Sequence, residues 1–160
     1  MEEKPNNNSG EIFDTSPYLK LVIDKDGRWF QNGAEIVHPE IYRHFNQVLE
    51  KSPEGEYLVR MGHEICTVEV EDAPFVVKRM IENDHAQLLL ELNDGSQEPF
   101  DPKSFWIGEQ NIPYCRVKTG TFHARFSRPA YYQLAQHIVT DETEKEFFLL
   151  LNGERVPIKR

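Results

Sequence analysis

The sequence predicts an α+β protein, mainly antiparallel β, made of two small packed subdomains that are each largely strands with one helix. Three observations carry that expectation. Short apolar–polar alternations recur along the chain, as where Cys66, Val68 and Val70 alternate with Thr67, Glu69 and Glu71. Tight-turn dipeptides separate such runs, Asn32-Gly33 and Asn152-Gly153 foremost, because both central residues of a type I′ hairpin turn need positive φ. Only two stretches keep apolar residues at helical spacing, one after Pro39 and one after Ser127.

Residues 1–15 read as a flexible polar tail. The N-terminal subdomain then spans residues 16–83. Tyr18–Ile23 is a strand stopped by Asp24-Lys25-Asp26-Gly27, and Arg28–Gln31 is the next. The Asn32-Gly33 turn sets Trp29 opposite Ile36. Pro39 suits a first helical turn, where its missing N–H costs nothing. Ile41, Phe45, Val48 and Leu49 give that helix, about 39–51, its apolar stripe before Pro53-Glu54-Gly55 ends it. Strands follow at Tyr57–Met61, Ile65–Glu71 and Phe75–Ile81. The C-terminal subdomain, residues 84–160, adds Gln87–Leu92, a break across Pro99–Pro102, and a short strand at Phe105–Ile107. Ser127 caps a second helix, about 128–138, with Tyr131, Leu134, Ala135 and Ile138 on its apolar side. After the acidic loop Asp141–Glu146, Phe147–Leu151 and Val156–Ile158 flank the second Asn-Gly.

With 39% hydrophobic residues among 160, the chain can build a core. A net charge of −9 argues against nucleic-acid and anionic-membrane partners, which need a surplus of Lys and Arg. The start, MEEKPNNNSGE, lacks the apolar run of a secretory signal, and no run reaches the ~18–20 apolar residues of a membrane span. Cys66 and Cys115 form no C-x-x-C pair and sit at inward strand positions, as buried thiols in a reducing cytoplasm would.

The segment Tyr114–Phe126 is the sharpest functional feature. Thr119-Gly120 sits between two alternating runs, so that Lys118 faces Thr121, Val117 faces Phe122, Arg116 faces His123 and Tyr114 faces Arg125. Alternation then puts Cys115, Val117, Phe122, Ala124 and Phe126 on one apolar face. Tyr114, Arg116, Lys118, His123 and Arg125 share the other, a basic surface on an acidic protein. Arg128 at the start of the second helix adds a donor beside its N-terminus. These residues are the candidate ligand-binding set. Glu71 and Asp72, at a strand's end with Glu69, are the candidate acidic partner or second site; either one is placed to neutralise Arg116 or Arg125 across the subdomain interface. Asp72 alternatively caps the backbone ahead of Pro74 as an Asx turn.

No nucleotide-binding loop, nucleophile elbow or H-E-x-x-H motif occurs, and the six histidines are scattered, so no metal site is called from spacing. Cys115 is expected to face away from His123, which separates thiol from base. Trp29, Phe30, Phe105 and Trp106 fit core packing better than a ligand pocket.

Several landmarks together carry a resemblance. Asp26-Gly27-Arg28-Trp29-Phe30 and Asn32-Gly33-Ala34-Glu35-Ile36 precede a helix. They are followed by Val68-Glu69-Val70-Glu71-Asp72-Ala73-Pro74-Phe75, Pro113-Tyr114-Cys115-Arg116-Val117 and Ala124-Arg125-Phe126-Ser127-Arg128. This order resembles the bacterial domain of unknown function 1285 family over roughly Leu19 to Ile158. The resemblance implies a compact, β-rich, two-part fold and no assigned activity. It draws interest onto Asp72, Arg116, Arg125 and Arg128.

These readings favour a cytoplasmic, non-catalytic protein that needs no cofactor and takes an anionic small molecule or an acidic peptide segment on the basic face. Two alternatives stay open. One is a protein–protein or homodimer assembly module that uses exposed strand edges. The other is a small enzyme acting on a carboxylate or phosphate compound, with His123 as acid/base and the arginines as clamp.

Overall fold

The computed structural model describes residues 19–160, so the expected tail at 1–15 lies outside the described residues. Strand formation follows the alternation. In the first sheet, β1 (Leu21–Ile23), β2 (Trp29–Gln31), β3 (Ala34–Glu35), β4 (Glu50–Lys51), β5 (Tyr57–Met61) and β6 (Glu64–Val70) stand in the order β3-β2-β1-β6-β5-β4. Helix α1 (Pro39–Val48) spans the connection from β3 to β4. The second sheet uses β7 (Phe75–Glu82), β8 (Leu88–Leu92), β9 (Gln97–Pro99), β10 (Trp106–Ile107), β11 (Pro113–Val117) and β12 (Phe122–Phe126) in the order β10-β11-β12-β7-β8-β9. Helix α2 (Arg128–Ala135) and a third sheet of β13 (Ile138–Thr140), β14 (Phe147–Leu151) and β15 (Glu154–Pro157) follow.

The two large sheets are wired alike. In each, the first and last strands of the set lie side by side at the centre and pair in parallel, β1 with β6 and β7 with β12, while the other pairs are antiparallel. The opening turns match in detail as well. Asp24 Oδ1 accepts the N–H groups of Asp26 and Arg28, both at 2.9 Å, and Asn83 Oδ1 accepts those of His85 and Gln87 at 3.0 and 2.9 Å. This repeat lies in connectivity and turn chemistry, so residue-by-residue comparison of the two halves does not expose it. The division expected near Asn83 falls in the β7–β8 turn, and β7 belongs to the second sheet. Long-range parallel pairing decides that membership, and no local signal reports it.

Both Asn-Gly sites are tight turns with positive φ at Asn32, Gly33, Asn152 and Gly153, and Ile36 bonds back to the Trp29 carbonyl as the hairpin register requires. The helices are shorter than their apolar stripes suggest. α1 stops at Val48 because Leu49 turns extended, and Glu50–Lys51 pair with Tyr57 and Leu58 as β4. Ile41 lies exposed, and the buried member of α1 is Asn46, whose Oδ1 accepts the Trp29 indole N–H at 3.0 Å. α2 ends at Ala135, and Ile138 opens β13 opposite Leu149. Gln97–Pro99, expected to run into a break, forms edge strand β9, where proline's missing donor is tolerated.

One continuous core joins all three sheets and α2. Asn93, itself buried, ties the large sheets together: its Nδ2 donates to the Gly27 carbonyl at 3.2 Å and its Oδ1 accepts from Val76 N–H at 3.0 Å. Gln133 docks α2 onto β7 by bonding both the N–H and the carbonyl of Met80, at 2.8 and 3.0 Å. Phe122 bridges the sheets, with its ring centroid 5.3 Å from Phe75 and 6.2 Å from Tyr57. Truncating it opens a cavity at that junction. Phe122→Ala is therefore expected to cost about 3–5 kcal/mol in urea unfolding; a loss below about 1 kcal/mol would show that the junction collapses without it.

Candidate functional site

The basic hairpin is strands β11 and β12, and its register is the one the alternation predicts from Tyr114↔Arg125 to Val117↔Phe122. Cys115, Val117, Phe122, Ala124 and Phe126 are all buried on the apolar face. The loop departs from a simple two-residue turn. Thr121 N–H does bond to the Lys118 carbonyl around Thr119-Gly120, but Lys118 itself has positive φ and leaves the strand alternation. Its ammonium lies 5.4 Å from the Phe75 ring centroid and 2.8 Å from Asp94 Oδ2, so it is not part of the Arg116–His123 surface. Asp94's side chain is 1% exposed. Burial alone raises its pKa, but hydrogen bonds from Lys118 and Ser96 outweigh burial and hold the carboxyl below the usual range.

On the polar face the central object is Asp72, in the bend between the first sheet and the second. Its carboxylate accepts the Tyr114 hydroxyl at 2.7 and 3.0 Å and the Arg125 guanidinium at 3.0 Å. Asp72 therefore serves as a cross-sheet clasp, while the Asx turn expected ahead of Pro74 gives way to these partners. Its backbone carbonyl lies 3.1 Å from His123 Nε2. Glu71 does not join this cluster; its carboxylate accepts the Lys25 N–H at 3.1 Å.

Tyr114 is buried rather than displayed. Trp106, its partner across β10–β11, stacks on it at 5.3 Å with 21° between the rings. On its other flank, a Cβ on Gly108 would come within 2.7 Å of the ring. Burial first, then the hydrogen bond and negative charge of Asp72, push the Tyr114 hydroxyl up to about 12. Burial also lowers the pKa of His123, with Arg116 and Lys51 adding to that effect and the Asp72 carbonyl opposing it, so the imidazole is neutral at pH 7. The Cys115 thiol is pushed up by burial and lies on the opposite face from His123.

Arg116 behaves differently from its neighbours. It is exposed, its guanidinium sits 5.6 Å from the Trp106 ring centroid, and among the described residues it forms no ion pair. Arg128 is exposed at the first position of α2 and forms no ion pair with Asp72; the Ser127 hydroxyl caps the helix by accepting from Ala130 N–H at 3.3 Å. The structure thus joins Tyr114, His123, Arg125 and Asp72, sets Arg116 beside them, and sends Lys118, Arg128 and Glu71 elsewhere. Sequence reasoning missed Gly108 and Lys51 as parts of this corner. A glycine six residues ahead of a strand aromatic was the available signal for Gly108. Lys51 was hidden by its assignment to the helix. Among the described residues no group of three or more His, Cys, Asp or Glu side chains gathers to hold a metal ion.

Residues 14–73 match the family model described as Domain of unknown function (DUF1285), N-terminal domain. The fold is similar to that of a DUF1285 family protein from Silicibacter pomeroyi DSS-3, with TM-score 0.70 and 23% identity over 88% of this chain and 80% of that one. It is also similar to a DUF1285 family protein from Shewanella baltica OS155, with TM-score 0.63 and 20% identity over 76% of this chain and 94% of that one. No curated protein matches the chain. No helix among the described residues is long and apolar enough to cross a membrane.

The Asp94–Lys118 pair gives a prediction with a definite sign. A depressed carboxylate pKa contributes stability that is present above the unfolded value, near ~3.9, and lost as pH falls through the folded one. Lys118→Met leaves a buried carboxylate without its cation and is expected to cost about 3–5 kcal/mol at pH 7. The gap from wild type, followed by thermal melts, narrows below about pH 4 as Asp94 protonates.

Proposed function

We propose that this protein is a non-catalytic cytoplasmic binding module that holds one anionic group of a small molecule or acidic peptide on Arg116. The observation that carries the reading is the uneven fate of the hairpin's cations. Asp72 takes Arg125 and Asp94 takes Lys118, whereas Arg116 keeps its guanidinium in solvent, oriented by the Trp106 ring. A guanidinium steadied on an aromatic face offers a pre-oriented fork to a carboxylate or phosphate. Lys51, whose ammonium lies 5.9 Å from the Tyr57 ring centroid, adds positive potential at the same corner. The groups that acid/base chemistry would recruit are otherwise engaged: the Asp72 carboxylate binds two donors, and the Cys115 thiol is buried and held protonated. Assembly by strand addition is less well supported, since the outer strands of both large sheets are two or three residues long and short edges template poorly. Two buried cysteines, neither in a disulfide, accord with a reducing compartment.

Citrate and inorganic phosphate are suitable probes. Saturating anion is expected to raise the melting temperature of wild type and to raise the His123 pKa in NMR titration, because the bound negative charge offsets Arg116 and Lys51. Arg116→Gln should keep the unliganded stability within about 0.5 kcal/mol and abolish both responses. Arg125→Gln should instead weaken the fold by about 1–3 kcal/mol by stripping a donor from Asp72. An anion response that survives Arg116→Gln refutes this reading.

A further inference from the structure

A cavity of about 690 Å³ lies away from the hairpin's polar face, where β10, α2 and the third sheet meet. That size falls within the ~300–1,000 Å³ of small-molecule sites. Its apolar lining comes from separate elements: Ile107 of β10, Tyr131 of α2, Ile138 of β13, and Phe147 and Ile158 around β14 and β15. Phe147 remains 41% exposed although its neighbour Leu149 is fully buried. A large aromatic is thereby kept at the opening, where burial against a ligand would gain what the fold itself leaves unused.

The charges at this opening are the second observation. Lys145 and Arg160 line it together with one acid, Glu146. Among the described residues neither cation forms an ion pair, and the Arg160 guanidinium sits 5.9 Å from the Phe147 ring centroid. Two cations against one acid beside an apolar hollow, in a chain of net charge −9, suit an anion that carries an apolar body.

We propose that this cavity binds a small amphiphilic carboxylate, with the carboxylate on Lys145 and Arg160 and the hydrocarbon body against Ile107, Ile138 and Phe147. The site is separate from Arg116 and does not depend on the function proposed for it.

Octanoate and 1-octanol, matched in chain length, test the proposal on the full chain by calorimetry and by amide NMR shifts. Octanoate is expected to bind saturably with Kd below about 1 mM, to shift residues of β13 and β14, and to bind about tenfold or more tightly than the alcohol. The double variant Lys145→Gln, Arg160→Gln changes only exposed side chains and should lower octanoate affinity to that of octanol without altering octanol binding. Arg116→Gln should leave octanoate binding unchanged. The proposal is overturned by absent saturation, by equal affinities of acid and alcohol in wild type, or by octanoate binding that falls with Arg116→Gln and survives the double variant.

Discussion

Asp72 stands where the chain leaves the first sheet and enters the second, and its carboxylate accepts from Tyr114 on β11 and Arg125 on β12. Its backbone carbonyl meets His123 on the same strand as Arg125. The four-residue link between β6 and β7 is therefore anchored at Asp72, by both side chain and main chain, to the far hairpin of the second sheet. A partly exposed ion pair contributes little by itself, but this one is supported by a phenol, an imidazole and a stacked indole, each of which restricts its neighbour's geometry. The clasp also decides the electrostatics of the face. It removes Arg125 as an anion receptor, keeps the Tyr114 hydroxyl protonated and leaves Arg116 as the accessible guanidinium.

Most of the elements were legible in the sequence because their signals are local. Alternation placed Tyr57–Met61 and the hairpin register, and Asn-Gly pairs placed two turns whose backbone demands few other residues meet. Helix ends were not legible. Leu49 and Ile138 continue a helical apolar period, yet Leu49 is buried and Ile138 partly buried in extended segments, since periodicity records which side chains go inward and not the conformation that takes them there. Asn46 was invisible for a related reason: a polar residue on a helix reads as solvent-facing until the Trp29 indole that it satisfies is known.

The candidate site was legible as a composition and not as a network. Two strands with basic residues on one face can be read from alternation, but which cation is neutralised depends on contacts across dozens of residues of chain, such as Asp72 with Arg125 and Asp94 with Lys118. The left-handed backbone at Lys118 also breaks the rule used to assign its face. A flexible side chain leaving such a position reaches the partner that best repays its desolvation, here a nearly inaccessible carboxylate.

Strand β10 connects the two surfaces considered for binding. It is only two residues long, and alternation turns them to opposite sides. Trp106 stacks on Tyr114 and carries Arg116, while Ile107 forms a wall of the large cavity. β11 holds one edge of this strand, and Lys159 holds the other through a parallel bridge and a 2.8 Å bond from Ile107 N–H to its carbonyl. Covering the edge in this way withdraws it from strand addition by another chain. It also fixes the distance between the two side chains: the indole that orients Arg116 cannot shift along the sheet without carrying Ile107 with it. The clasp at Asp72, by holding Tyr114, thus sets the position of a cavity wall that it never touches.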